Sequence, residues 1–362
     1  MNIKSLLLGS AVAAVAATGA RAADAIVIAE PEPMEYVRIC DVYGAGFFYI
    51  PGTETCLRIG GYMRYQMNYS DADWLRQVGV DAAGDPVYEI EDYRFSKFAR
   101  FQLNVDARNE TEWGTLRSYA EARFDWSSYN WVGAFGVGGG NNVYLNQGFI
   151  ELQQANGTIR LGKSDTPYAR FLGYGSPFGP FDGSYGFNNG GELSYQYNGA
   201  NGFSAILAVV ETNTGLFEPA VEGGVKLTQG WGDIGAMVGY DTVVEEWGAK
   251  LVGNAKFGMV DVGAHLFYAS GPGSIYTIGG SEFSVLAYAK ANVSQTLAIA
   301  AAVQYFDDEY LASNDTWQVT GGLDWRPVSG LRIRPEIQYT TTDTIVGDVD
   351  NWRAAIRFDR TF

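Results

Sequence analysis

The residues of this chain that could do chemistry are charged and carried on strands. Arg64, Arg100, Arg123 and Arg357 each stand mid-way along a stretch in which apolar and polar residues alternate, always on the polar side. Asp165 and Asp182 are the only acids between Lys163 and Gly190, a stretch rich in glycine and aromatic residues, with Arg170 between them. Opposite charges held apart, with no nucleophile beside them, act on dissolved ions and polar solutes through their field. Arg58, Arg117 and Arg353 point the same way but lie nearer strand ends. A plainer reading applies to all of them: a solvated charge paired with Asp106, Glu121 or Asp359.

Bond-making chemistry has few candidates. His265, the single histidine, sits in VDVGAHLFYAS, where the alternation makes it an ordinary wall residue and not a triad base. The glycine cluster GVGGGNN (136 to 142) lacks the spacing and the strand-turn-helix setting of a nucleotide loop. No paired carboxylates stand out, no ligand set for a metal is present, and no cofactor is expected. Cys40 and Cys56, in CDVYGAGFFYIPGTETC, flank a turn containing Gly and Pro; in an exported chain such a pair reads as one disulfide. Closing a loop of this length stabilises by about 3 kcal/mol in the chain-entropy estimate.

The elements that must carry these charges are strands. LRIGGYMRYQMNY (57 to 69) sets Leu57, Ile59, Met63, Tyr65 and Met67 against Arg58, Arg64, Gln66 and Asn68. ARFQLNVDAR (99 to 108), LRSYAEARFDW (116 to 126) and LRIRPEIQY (331 to 339) repeat the pattern, with arginines and acids opposite the aliphatics. A two-residue period places one set on each face of a strand. About sixteen such stretches follow one another, from 57 to 69 through to 351 to 362, the last ending on a bare Phe362. Alternate connections are tight (QANG, GANG, VSQT, PVSG), and those between are mostly long and often acidic; the one at 70 to 92 carries seven acids and Arg76, a net charge of -6.

Short turns at one end, long loops at the other and an even strand count are the pattern of an antiparallel transmembrane β-barrel of the outer membrane. Closure removes the sheet edges that lipid could not satisfy. Trp113, Trp126, Trp231, Trp247, Trp317, Trp325 and Trp352 fall at strand ends, as aromatic girdles at a membrane-water interface would. The front of the chain, with Lys4, an apolar core from Leu6 to Ala17 and the small-residue site Ala20-Arg21-Ala22, reads as a signal peptide over residues 1 to 22. Its removal takes Lys4 and Arg21 and moves the formal charge from -16 to -18, which disfavours nucleic-acid binding. The expected organisation is a periplasmic segment with a disulfide hairpin at 23 to 56 and a barrel at 57 to 362. A soluble sandwich or propeller shares the strand period but not the leader and the tryptophan placement.

The chain resembles the general porins of α-proteobacteria, similar to the Brucella and Rhizobium outer-membrane porins. The resemblance is carried by MNIKSLLLGSA, YVRICDVYGAGFFYIPGTETCLRIGGYMRY (36 to 65), NGFSAILAVVE (201 to 211), YDTVVEEWGAKL (240 to 251) and the last strand. It implies a 16-stranded barrel, a homotrimer, a third extracellular loop folded into the lumen, and passive diffusion of small hydrophilic solutes across the outer membrane. It also implies that Phe362 is part of the signal read by the barrel-assembly machinery. In the alternation itself the third long connection, 163 to 190, is the longest, and its aromatics would be costly left in water. Packing against the inner wall suits them, with Asp165 and Asp182 then facing wall arginines; an outward loop touching lipopolysaccharide or a neighbouring subunit is the alternative. An outer-membrane barrel enzyme or a surface β adhesin is the other functional reading.

Two residues fit the pattern poorly. Pro335 removes a ladder donor inside a strand, which predicts a bulge there, and Arg360 occupies a lipid-facing position at the periplasmic rim.

Overall fold

The computed structural model describes residues 38–80, 86–128, 140–186, 188–212, 214–308, 314–345 and 347–362. The expected signal peptide lies outside these residues. In chain order the barrel strands are β1 Cys56–Ser70, β2 Arg94–Thr111, β3 Gly114–Ser127, β4 Gly140–Gln154, β5 Gly157–Asp165, β6 Asn189–Asn198, β7 Phe203–Val210 and β8 Ala220–Gln229. They continue as β9 Gly232–Asp241, β10 Glu246–Phe257, β11 Val260–Ala269, β12 Phe283–Asn292, β13 Leu297–Asp308, β14 Asn314–Val328, β15 Leu331–Thr342 and β16 Val349–Thr361. Each pairs antiparallel with its sequence neighbour, and β16 pairs back onto β1, so the sheet of 16 strands closes.

The seam is fixed at the last residue. Arg357 lies opposite Gln66 and Asp359 opposite Arg64. Beyond them Gly61 N–H donates to the Phe362 carbonyl at 3.2 Å, and Phe362 N–H donates back to Gly61 at 3.1 Å. A Cβ at Gly61 would collide with the Gln102 carbonyl and press on the Phe362 ring, so the close approach needs glycine. The Phe362 ring stacks on Phe101 with centroids 5.8 Å apart.

Polarity is reversed relative to a water-soluble fold. Ile59, Met63, Leu145, Ile150, Leu161, Leu207 and Leu251 are exposed, while Gln66, Asp106, Glu121, Glu222, Lys250, Gln304, Glu336 and Asp359 are buried. Only a lipid solvent outside makes that arrangement favourable. All seven singled-out tryptophans are exposed on the outer surface. Trp126, Trp247, Trp317 and Trp352 stand at the loop ends of their strands, and Trp113, Trp231 and Trp325 at or beside the short turns.

The short turns are 112–113, 155–156, 199–202, 230–231, 258–259, 293–296 and 329–330; the opposite end carries the longer connections, of which 242–245 is as short as a turn. The first long connection holds a small hairpin, Trp74–Val80 paired with Pro86–Glu91, which the alternation did not reveal. Two other expectations meet the ladder. Pairing of β14 with β15 steps from Gly322–Glu336 to Trp325–Ile333 in one register, so no bulge sits at Pro335; the shift falls between Trp325 and Val328, beside the turn. Arg360 is exposed at the rim opposite Leu331, where its Nη1 donates to the Thr361 carbonyl.

Candidate pore constriction

The third long connection, 166–188, lies inside the barrel. It leaves β5 through a single helical turn, Pro167–Arg170, that follows Thr166. Tyr168, Phe171 and Leu172 are buried against Ile206, Ala208, Met237 and Val252 of the wall. Phe178 is buried in a second cluster with Phe267, Leu286, Ala302 and Phe306. Tyr174 stays half-exposed, and Phe187 lies outside the described residues. Burying these rings against inward wall positions removes apolar surface from an aqueous lumen, the main force folding the connection inward.

Polar anchors set its path. Gly179 and Phe181 N–H donate to the two Glu336 carboxylate oxygens at 2.8 and 3.0 Å. Ser184 N–H donates to Gln304 Oε1 at 2.8 Å, and Gln304 Nε2 returns a bond to Ser184 O at 2.7 Å. Glu222 accepts from Tyr168 N–H at 2.6 Å, while Lys226 Nζ and Lys250 Nζ donate to the carbonyls of Phe171 and Tyr185 at 2.8 and 3.3 Å. The connection 270–282 also turns inward: Tyr276 is buried against Tyr168, ring centroids 4.8 Å apart, and donates to Glu222 at 3.2 Å. At the tip a Cβ on Gly179 would overlap the Arg334 guanidinium, so loop backbone and wall arginine are in direct contact.

The expected charges separate into two groups. Asp182 is on the folded connection, with the guanidinium groups of Arg357 and Arg334 acting on it; enclosure by loop and wall pushes its carboxyl up to about 7 despite their pull. Arg357 Nε donates to Gln66 at 2.5 Å, and Arg353 stacks over the Phe181 ring at 5.0 Å. Arg64 and Arg334 share Asp359, each at 2.6 Å. The other group is committed elsewhere. Asp165 is buried at the end of β5, accepting from Tyr174, Asn189 and Gln147 at 2.7, 2.8 and 3.2 Å. Arg100 holds Asp125 bidentately at 2.8 and 2.7 Å, and Arg123 binds Glu121 at 2.8 Å. Arg58 and Arg117 pair with Asp106 at 3.4 and 2.9 Å.

Arg334, Glu336 and Gln304 escaped the sequence reading. Their inward parity was visible, but nothing along the chain says which stretch of wall the connection will touch. The cysteines do pair: Cys40 and Cys56 form a disulfide, packed with the buried Phe47. Arg58 and Arg108 lie over the Phe47 ring at 4.8 and 5.2 Å, and Tyr43 donates to Glu110 at 2.8 Å. His265 is buried on β11 beside the rings of Phe267 and Tyr288, with no catalytic arrangement among the described residues around it.

A closed barrel with a lipid-compatible exterior, a charged lumen and a connection folded across it defines an outer-membrane channel. The family model for the porin subfamily matches residues 24–358, and the chain belongs to that family. It is 37% identical over 391 aligned positions to a protein named porin Omp2b of Brucella canis, covering 100% of both chains. The like-named protein of Brucella neotomae is 38% identical over the same coverage. Among solved structures, the outer membrane channel DcaP of Acinetobacter baumannii matches with a TM-score of 0.61 at 14% identity, over 87% of this chain and 99% of that one. A mutant of the Rhodopseudomonas blastica porin matches with a TM-score of 0.54 at 16% identity, over 84% and 99%. At these identities the two structures support the fold alone. The chain is therefore a porin, a channel of the Gram-negative outer membrane.

Proposed function

We propose that the neck of this channel lies where the tip of connection 166–188 meets β15, β16 and β1, with Asp182 on the loop and Arg64, Arg334 and Arg357 on the wall. The observation that carries this reading is the pair of backbone N–H bonds from Gly179 and Phe181 to Glu336, which fix the tip against the arginine-bearing strands. Arg100 and Arg123 line the same lumen, but Asp125 and Glu121 offset their charge. Acidic outer connections concentrate cations at the mouth, while unmatched guanidinium groups favour anions at the neck, so the net preference is weak and cationic.

Three partners belong to the same proposal. The chain assembles as a homotrimer amid lipopolysaccharide, residues 1–22 direct export, and Phe362 presents the terminal aromatic to the barrel-assembly machinery. The test is a planar bilayer under a salt gradient. Stepwise conductance with a small cation-selective reversal potential is expected; a clearly anion-selective potential overturns the charge assignment.

A further inference from the structure

Below the proposed neck, at the short-turn end of the lumen, a cavity of about 500 Å³ opens between β14, β15, β16 and β1. Four arginines line it, Arg64, Arg326, Arg332 and Arg334, with Asp359 and Tyr62. The carboxylates there are shared. Asp324 is held at once by Arg332, Arg326 and Lys290, at 2.7, 3.2 and 3.2 Å, and Asp359 by Arg64 and Arg334. With Glu336, which also acts on Arg334, five cations therefore meet three carboxylates, a local excess of two positive charges in a chain whose formal charge is -16. Arg334 is 7% exposed, and its Nε has no hydrogen-bond partner among the described residues.

A second cluster on the neighbouring wall makes the contrast. There Arg58, Arg108, Arg117 and Arg160 gather around Asp106 and Glu151. That cluster is covered: Phe47 of the disulfide hairpin lies under Arg58 and Arg108, and Phe149 lies under Arg117 and Arg160. Aromatic faces satisfy the guanidinium planes that carboxylates leave over. Among the described residues around the open cavity, only Tyr62 plays that part, at 4.6 Å from Arg64.

We infer that this cavity is a binding site for a small multivalent oxyanion, a phosphate or polyphosphate group, entered from the periplasmic side. Guanidinium forks bind such groups bidentately, and the excess charge favours a ligand carrying more than one negative charge. Arg326 and Arg332 stand nearest the short turn and form the outer edge of the site. Arg64 and Arg334 form its floor beneath the neck. The inference rests on the porin reading for its place in the lumen, but binding is measurable without conduction.

The test is isothermal titration of inorganic pyrophosphate into the detergent-solubilised, folded protein, with barrel folding of each variant checked by heat-modifiable gel mobility. Saturable binding is expected in the wild type, weakened about tenfold in the Arg326→Gln, Arg332→Gln double variant, since lost charge-assisted bonds scale that way. Arg160→Gln, in the covered cluster, is expected to leave binding unchanged. Absence of saturable binding, or equal weakening by Arg160→Gln, overturns the site. Single-channel recording of the same samples tests the porin reading separately: failure to conduct contradicts the channel, whatever the titration gives.

Discussion

Lys250 and Arg357 are both inward-facing cations on barrel strands, yet they end in unlike surroundings. Lys250 is 1% exposed, donates to a loop carbonyl and lies under the Tyr168 ring at 4.8 Å. Arg357 stands with Gln66, beside Arg64 and Arg334 and within reach of the Asp182 field. The difference extends to the two sides of the lumen. From β7 to β13 the inner wall is packed against the connections 166–188 and 270–282, and its buried partners include Ile206, Met237, Leu286 and Phe306. From β14 round through the seam to β5 the wall carries arginines and carboxylates in shared pairs. One side works as a core that holds a loop, and the other as a field that solutes pass.

That contrast predicts different consequences for mutations on the two sides. The largest effect is expected for Tyr168→Ala, which truncates a fully buried ring: about 3–5 kcal/mol, as for large aromatic truncations in cores, read as a lower denaturant midpoint of the folded barrel. Glu336→Ala comes next, because it leaves two loop N–H groups without their acceptor; about 2–3 kcal/mol and faster proteolysis of the connection at 176–183 are expected. An unchanged proteolysis rate would detach the loop tip from β15.

Charge changes on the open side should alter selectivity and leave stability nearly intact. Arg357→Glu is expected to raise cation over anion permeability about fivefold, the equivalent of roughly 1 kcal/mol for charges about 4 Å apart in water, measured as a reversal potential. A large loss of stability with unchanged selectivity would make Arg357 part of the core instead. The smallest effect is pH-dependent. With its carboxyl pushed up to about 7, Asp182 is ionised above that pH and takes up a proton as pH falls through it. Cation preference should therefore weaken from pH 8 to pH 6, and Asp182→Asn should flatten the profile.

Much of the fold was legible because the strand period is local. A side chain two residues on returns to the same face, so Arg64, Arg100 and Arg123 could be assigned to the lumen from spacing alone, and Phe362 to a closing strand. The third connection was legible for a different reason: its aromatics demanded burial that an outward loop would not give. What stayed hidden was long-range register. Glu336 and Gln304 are separated from the loop atoms they bind by more than a hundred residues of sequence. Which arginines meet Asp182 depends on that register and not on any motif. Asp165 shows the reverse case: placed in the loop by sequence, it is taken up by Gln147, Tyr174 and Asn189 at the end of β5. Pro335 misled because a missing donor was read as a break, when the ladder passes it in one register.

The most direct test compares single-channel conductance of the wild type with that of a variant in which residues 177–182, the segment bound to Glu336, are deleted. If this segment forms the neck, the conductance step grows, and the dependence of selectivity on Arg357 and Arg334 fades with it. An unchanged step in a correctly folded variant would place the narrowest section elsewhere.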